Sequence, residues 1–324
     1  MNLKLCIYFL LCFLLMSQKK LFNKQKRTVN ISFAIINKFI HNIFIPLSSL
    51  LKNSDRDTIY QIYFLVEENF DQKNSELLYN LEKIYFNCFI HIINIKDDFK
   101  DAFRKQYFDE VTYFKLKLPN IEKDINRIIY LDIDIVVLKD LTQLYTLNFE
   151  NKFILGRLDK NTNELDKLNL YITNYISCGV LLLDLYSLRK YKYEDKFMEY
   201  IKMNNNQKYL PSHDKTVINY ICHDKIGILK PIFHMWPYKD INKYIEDNHK
   251  LRMPYDISDI YKSFYEPFII HFPGDYKFKI ELINELFYKI LYEYIILSVK
   301  TRLSLEKMVT NDTNLTENIS SLLS

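Results

Sequence analysis

The segment that most constrains this chain is Arg127–Asp140, which reads RIIYLDIDIVVLKD. Asp132 and Asp134 lie two residues apart within apolar, β-branched sequence that is typical of a buried strand. Carboxylates are seldom buried without a partner, because removing water from an isolated charge is costly. In extended backbone, residues i and i+2 project to the same side, so both carboxylates can bind one divalent cation that carries phosphates. The alternative is a surface turn with two ordinary acids.

Short apolar strands alternate with helical patterns, and this predicts an α/β fold with a mostly parallel, Rossmann-like central sheet. The predicted strands are Val29–Ile36, Tyr60–Val66, Phe89–Ile95, Arg127–Leu131, Ser177–Leu185 and Phe268–Phe272. The predicted helices are Phe39–Leu51, Asn74–Ile84, Tyr107–Leu118, Leu188–Met203, His213–Cys222 and Ile280–Val299. Ligands of such sheets bind beyond the carboxyl ends of the strands, which is where the two aspartates lie.

Composition excludes several functional classes. The 324 residues are 48% hydrophobic and 26% charged, with a net charge of +4, which is no strong footprint for nucleic acid. Only four glycines occur, so neither a G-x-G-x-x-G fingerprint nor a Walker loop can form, and dinucleotide dehydrogenases and P-loop enzymes are excluded. A bound nucleotide would be held by metal, side chains and isolated amides.

The N-terminal sequence predicts a targeting segment. Residues 1–17 contain an apolar run of the length found in signal peptides or short signal anchors, followed by a linker at 18–28. We therefore expect a Golgi or endoplasmic reticulum membrane location with a lumenal domain, and a cytoplasmic location as the alternative. A catalytic domain is predicted over 29–299 and a polar, disordered tail over 300–324.

Three further groups carry chemistry that the two aspartates could use. His271, Gly274 and Lys277 follow the last predicted strand and offer a metal ligand, a flexible backbone and a phosphate-binding charge. Ser177, Cys178 and Gly179 lie ahead of the buried run Val180–Leu185, and a glycine at such a position indicates a close approach of backbone. Asp214 either faces a ligand or, like His213, caps a helix. The structural alternatives are an edge histidine, a solvated lysine and an ordinary strand entry.

These groups, in this order, resemble the retaining glycosyltransferases of family 8, the type that includes glycogenin and bacterial lipooligosaccharide galactosyltransferases. The resemblance covers about 29–279, and its most specific part is YLDIDIVVLKDLTQLY at Tyr130–Tyr145. The motifs SCGVLLLDL, HDKTVIN and HFPGDYK follow with the spacing that this family shows. The fold implied is the single-domain GT-A type.

The resemblance implies a Mn²⁺ (or Mg²⁺) ion that bridges the diphosphate of a UDP-sugar and is ligated by Asp132, Asp134 and His271. Gly274 and Lys277 would contact the phosphates. Lys115 would touch both the donor sugar and the phosphate, and Ser177 and Asp214 would face the donor sugar. These three are the catalytic residues that the resemblance implies. The acceptor would be a hydroxyl of a glycan, glycolipid or glycoprotein, and the N-terminal segment would give membrane association.

The chain departs from the family pattern at several positions. Ile36 stands where the family has an Asp that helps to read uracil, and Ser177 stands where Asn is common. Lys215 replaces a common Gln beside Asp214, and Phe278-Lys279 replaces a Pro-Trp ending. An alternative is therefore a catalytically weakened fold that binds a nucleotide sugar or a partner. A second alternative is a haloacid-dehalogenase-type phosphohydrolase in which Asp132 is the nucleophile.

Overall fold

A computed structural model describes residues 26–96, 99, 102, 110–159, 174–205, 212–250, 253–274 and 283–310. The predicted segment at 1–17 and Lys277 lie outside these residues. The strands are β1 Arg27–Ile35, β2 Thr58–Val66, β3 Cys88–Asn94, β4 Arg127–Leu131, β5 Ile135–Val137, β6 Ile154–Leu158, β7 Ile176–Asp184, β8 Ile226–Ile228 and β9 Ile269–His271.

Within the described chain, seven of these strands form one sheet in the order β3-β2-β1-β4-β7-β6-β8. The pairs β1–β2, β1–β4, β2–β3 and β6–β8 are parallel, whereas β7 is antiparallel to both β4 and β6. The predicted mostly parallel α/β fold is confirmed. Most residues of β1, β2, β4 and β7 are buried, because helices cover both faces of the sheet.

The strand β1 shows how the two faces are filled. Val29, Ile31 and Phe33 belong to one core cluster, together with residues of the helix Phe44–Lys52. Ala34 points into a second cluster on the opposite face, which includes the 3-10 segment Glu110–Asn120. This alternation follows from the two-residue period of a strand. The carboxyl end of β4 lies at the rim of the sheet, where the two faces meet.

The α-helices are α1 Phe44–Lys52, α2 Gln72–Tyr79, α3 Leu81–Ile84, α4 Thr142–Tyr145, α5 Leu185–Lys190, α6 Tyr193–Asn205, α7 His213–Ile221, α8 Ile241–Lys250, α9 Ile257–Tyr265 and α10 Glu285–Thr310. Helix α10 packs on α1, with Leu305 fully buried in the first core cluster. It begins later than the predicted Ile280 and extends to Thr310, so the first residues of the predicted polar tail are helical. The first strand likewise begins at Arg27, within the predicted linker.

Candidate metal and nucleotide-sugar site

The two aspartates of the DxD segment lie at the carboxyl end of β4. The backbone N–H of Asp132 donates to the carbonyl of Gly179 at 2.8 Å, and the carbonyl of Asp134 accepts from the N–H of Phe272 at 2.9 Å. The first bond continues the β4–β7 ladder, and the second extends the pairing of β5 with β9. The segment is therefore fixed by strands from the middle and the end of the chain.

His271 joins the aspartates because the small antiparallel pair β5–β9 places Ile135 opposite it. Its Nε2 lies 3.0 Å from Oδ1 of Asp134 and 3.9 Å from Oδ2 of Asp132. The three ligand atoms are all within 4.8 Å of one another. Carboxylate oxygens and an imidazole nitrogen are donors that suit a divalent cation such as Mn²⁺, so the residues fit the metal that the resemblance implies.

Gly179 makes room for this arrangement. A Cβ atom at this position would lie 2.2 Å from Cε1 of His271, 2.7 Å from its Nδ1 and 3.0 Å from Oδ2 of Asp132. Such distances are far below van der Waals contact, so only glycine lets β7 pass this close to two of the three ligands. The predicted close approach of backbone at this glycine is present in the structure.

Lys115 is a buried cation beside the aspartates. Its Nζ lies 2.8 Å from Oδ2 of Asp214 and 3.4 Å from Oδ1 of Asp132. The same ammonium lies over the ring of Tyr130, 4.4 Å from the ring centroid. It also donates to the carbonyl of Cys178 at 3.3 Å. Burial lowers the pKa of the ammonium, but the carboxylates of Asp132 and Asp214 outweigh this and raise its pKa well above its ordinary value. The lysine is therefore charged at physiological pH.

Asp214 lies in the first turn of α7, whose cap position is Ser212. The predicted capping role for His213 or Asp214 is not what the structure has, because Asp214 pairs with Lys115 and His213 adopts a left-handed φ of 50°. Ser177 lies in β7 two residues before Gly179, with 8% of its surface exposed. Lys115, Ser177 and Asp214 thus occupy the same edge as the aspartates.

Lys215 faces a different partner from its neighbour Asp214. Its Nζ lies 2.6 Å from Oδ2 of Asp159 and 5.0 Å from the ring centroid of Tyr175. Since Asp159 directly follows β6 and Tyr175 directly precedes β7, this pair ties α7 to the adjoining ends of two strands. The positive charge is thereby compensated away from Asp214.

Two other predicted positions have different environments. Gly274 has a φ of +54°, a conformation that favours glycine, and a Cβ built there would meet nothing within 4 Å. Ile36 follows β1 and is 8% exposed within the second core cluster. An aliphatic side chain there offers no hydrogen bond to a base.

His234 is a residue of this region that the sequence reasoning did not identify. Its Nε2 lies 2.8 Å from Nδ1 of His271, and its side chain is fully buried. Burial, followed by His271 and the guanidinium of Arg157, lowers the pKa of His234 well below its ordinary value. The sequence FHMWP around it contains no motif for such a role. The one signal in the sequence that could have indicated this role is a second histidine in an apolar segment before the last strand.

Comparisons with known sequences identify the family to which this chain is similar. The profile of a family described as "Glycosyl transferase family 8" matches residues 30–278. A Haemophilus influenzae protein assigned as a glycosyltransferase is 26% identical over 222 residues, which are 65% of this chain and 64% of that protein. The match thus spans slightly less than two thirds of that relative. General stress protein A of Bacillus subtilis is 25% identical over 59% of this chain and 68% of its own length.

Among solved structures, the galactosyltransferase LgtC, in complex with donor and acceptor sugar analogs, superposes with a TM-score of 0.64. It is 16% identical, and the match covers 84% of this chain and 96% of LgtC. This likeness shows the fold, which is that of a GT-A glycosyltransferase.

The predicted Golgi or endoplasmic reticulum location is wrong. The relatives come from Haemophilus influenzae and Bacillus subtilis, which are bacteria and contain neither compartment. Across the residues that the structure describes, no helix is both long enough and apolar enough to cross a bilayer. The predicted membrane association has no support.

Proposed function

The chain belongs to glycosyl transferase family 8, and we propose that it transfers a hexose from a UDP-sugar to an acceptor hydroxyl with retention of anomeric configuration. The observation that carries the proposal is the convergence of Asp132, Asp134 and His271, whose ligand atoms lie within 4.8 Å of one another. The family resemblance supports UDP as the nucleotide, a hexose as the sugar, and a glycan, glycolipid or glycoprotein as the acceptor.

Three residues would hold the cation: Asp132 and Asp134 through carboxylate oxygens, and His271 through Nε2. When bound, a Mn²⁺ or Mg²⁺ ion would supply Lewis-acid stabilisation of the negative charge on the departing diphosphate. Gly274 and Lys277 are proposed to contact the phosphates, and the free space beside Gly274, where a Cβ would meet nothing within 4 Å, leaves room for a ligand at its backbone.

The donor sugar is proposed to lie against Lys115, Asp214 and Ser177. The ammonium of Lys115 is held in place by Asp132 and Asp214, so its charge needs no reorganisation when negative charge develops on the leaving group. The carboxylate of Asp214 can accept hydrogen bonds from sugar hydroxyls while it stays paired, because it has two oxygens. The hydroxyl of Ser177 can both donate and accept.

A weakened enzyme is the second candidate, and the environment of Ile36 favours it. This side chain is packed in the core where the family pattern has an Asp that reads uracil. Loss of that hydrogen bond would reduce discrimination between bases. The metal edge, which is formed by Asp132, Asp134 and His271, would still bind a diphosphate together with Lys115. The family match leaves the haloacid-dehalogenase alternative unsupported.

A donor screen tests the proposal. The protein is incubated with UDP-hexoses, with and without Mn²⁺, and the release of UDP and the configuration of the freed sugar are followed by NMR. We expect Mn²⁺-dependent turnover with a retained anomer, and no turnover by the variant with Asp132→Asn and Asp134→Asn. Unchanged activity of that variant would falsify the metal assignment, and an inverted anomer would overturn retention. Metal-dependent UDP binding without turnover would identify the weakened enzyme.

A further inference from the structure

His234 and His271 form a buried imidazole pair behind the proposed metal site. Nε2 of His234 lies 2.8 Å from Nδ1 of His271, and the two side chains are 0% and 4% exposed. On the other side of His271, Nε2 faces the carboxylates of Asp134 and Asp132 at 3.0 and 3.9 Å. One ring of the pair therefore faces the ligand position, and the other lies behind the first ring in the core.

The backbone fixes the relative position of the two rings. Met235 donates to the carbonyl of Ile269 at 2.9 Å, and His271 donates to the carbonyl of Met235 at 2.8 Å. These bonds hold the segment that contains His234 alongside β9. Arg157, which is fully buried, donates through Nη1–H to the carbonyl of His234 at 3.2 Å, and its guanidinium stacks 4.0 Å from the ring centroid of Trp236. His234 is thus held from the strand and from the core.

The hydrogen bonding of the pair has a direction that metal binding would require. A neutral histidine that ligates a cation through Nε2 carries its proton on Nδ1. In a His271 that ligates a cation, this Nδ1–H would point at Nε2 of His234, 2.8 Å away, which would then be the acceptor. The remaining ring nitrogen of His234, Nδ1, is buried without a hydrogen-bond partner among the described residues. Within the described part of the chain, the ring of His234 therefore makes its one hydrogen bond with His271.

We infer that His234 is a positioning residue that accepts the Nδ1–H of His271 and thereby fixes the tautomer and ring orientation in which Nε2 ligates the cation. The inference rests on the proposed function, since it assumes that His271 is a metal ligand. Hydrogen-bond partners that orient ligating histidines in this way change metal affinity or activity by about 10–100-fold when they are removed.

The test measures metal binding directly. Free Mn²⁺ is titrated into the metal-free protein and followed by continuous-wave EPR, and pulsed EPR reports the nitrogen coupling of a ligating imidazole. His234→Phe keeps an aromatic ring but removes the acceptor, and His234→Leu serves the same purpose if the phenylalanine variant does not unfold cooperatively. His234→Gln restores an acceptor on a side chain of similar reach. Met235→Leu is the matched control, because it changes the neighbouring, equally buried side chain and leaves the two imidazoles in place.

We expect the acceptor-free variant to bind Mn²⁺ about 10–100-fold more weakly, with reduced nitrogen coupling. His234→Gln should recover most of the affinity, and Met235→Leu should behave as the wild type. Equal binding by the acceptor-free variant, or no recovery with glutamine, would overturn the inference and leave the proposed function intact. If the wild type itself binds no Mn²⁺, the proposed metal site fails, and the role of His234 fails with it.

Discussion

Two clusters of charged side chains meet at the carboxyl end of β4, and they differ in their access to solvent. At the metal edge, the side chains of Asp132 and Asp134 are 32% and 15% exposed. At the ion pair next to it, those of Lys115 and Asp214 are only 4% and 10% exposed. The first cluster can take up a cation from outside, whereas the second compensates its own charges within the protein. Lys115 connects the two through its 3.4 Å contact with Asp132.

The difference predicts opposite consequences of mutation in neighbouring residues. Removing a carboxylate from the metal edge should affect chemistry more than stability, because the group is organised for a ligand. Removing one member of the buried pair should affect stability first, because the other member is left as an uncompensated buried charge. The following variants test this contrast.

Asp134→Asn should have the largest effect. We expect turnover of a UDP-sugar to fall by about 10³-fold, because the cation contributes several kcal/mol of charge stabilisation. The free energy of unfolding should change little. Steady-state kinetics and urea unfolding measure the two effects. Asp124→Asn, an exposed acid in the loop before β4, is the control and should leave both unchanged. Retained turnover with lost stability would reverse the proposed contrast.

Lys115→Met should lower the free energy of unfolding by about 3–5 kcal/mol, because Asp214 would remain buried without its partner. The double variant Lys115→Met with Asp214→Leu should recover much of this loss, since an apolar pair of similar volume carries no unpaired charge. Urea unfolding of both variants gives the answer. If the single variant is as stable as the wild type, loss of Lys115 leaves no costly buried charge, and the proposed contrast with the metal edge fails.

Gly179→Ala should weaken Mn²⁺ binding by about tenfold or more, because the new methyl group would displace His271 or Asp132. Gly156→Ala is the matched control. There a Cβ would lie 2.6 Å from Cδ1 and 3.2 Å from Cβ of Ile176 and 3.1 Å from Cδ2 of Leu181, so the new methyl group crowds apolar side chains and none of the metal ligands. Calorimetric Mn²⁺ titrations of both variants measure the effect. Equal Mn²⁺ affinities of the two variants would show that Gly179 has no part in shaping the metal edge.

Lys215→Gln should have the smallest effect. Its ion pair with Asp159 is partly exposed, so we expect the free energy of unfolding to change by about 1 kcal/mol or less. Turnover should also change little, because the ammonium faces Asp159 and the ring of Tyr175. Thermal unfolding and kinetics check both points. A large loss of turnover in a stable variant would place Lys215 at the reacting face.

The metal edge was partly predictable from sequence because its signal is local. Two carboxylates in an apolar strand pattern conflict with burial unless something binds them, and this conflict identified Asp132 and Asp134. The parallel strands β1 to β4 were predictable from their length and apolar composition. Gly179 was singled out because a glycine beside a buried strand implies close contact.

The remaining parts depend on tertiary contacts that leave no local pattern. Strands β5 and β8 are three residues long, and β6 contains Gly156 and the buried Arg157, so neither length nor alternation predicts them. Predicted long helices are divided, as at α5 and α6, which a turn at Tyr191–Lys192 separates. Lys115 and Lys117 lie in one 3-10 segment, but one is buried at the site and the other pairs with Glu194. Their sequence does not distinguish them.

The central claim is that the metal edge binds a nucleotide diphosphate through a cation. Isothermal titration of UDP into the metal-free protein, and into the same protein with saturating Mn²⁺, tests it most directly. We predict UDP binding at least about 100-fold tighter with Mn²⁺, which is about 2.7 kcal/mol, and loss of this difference in Asp134→Asn. Equal affinity for UDP with and without the metal would contradict the account.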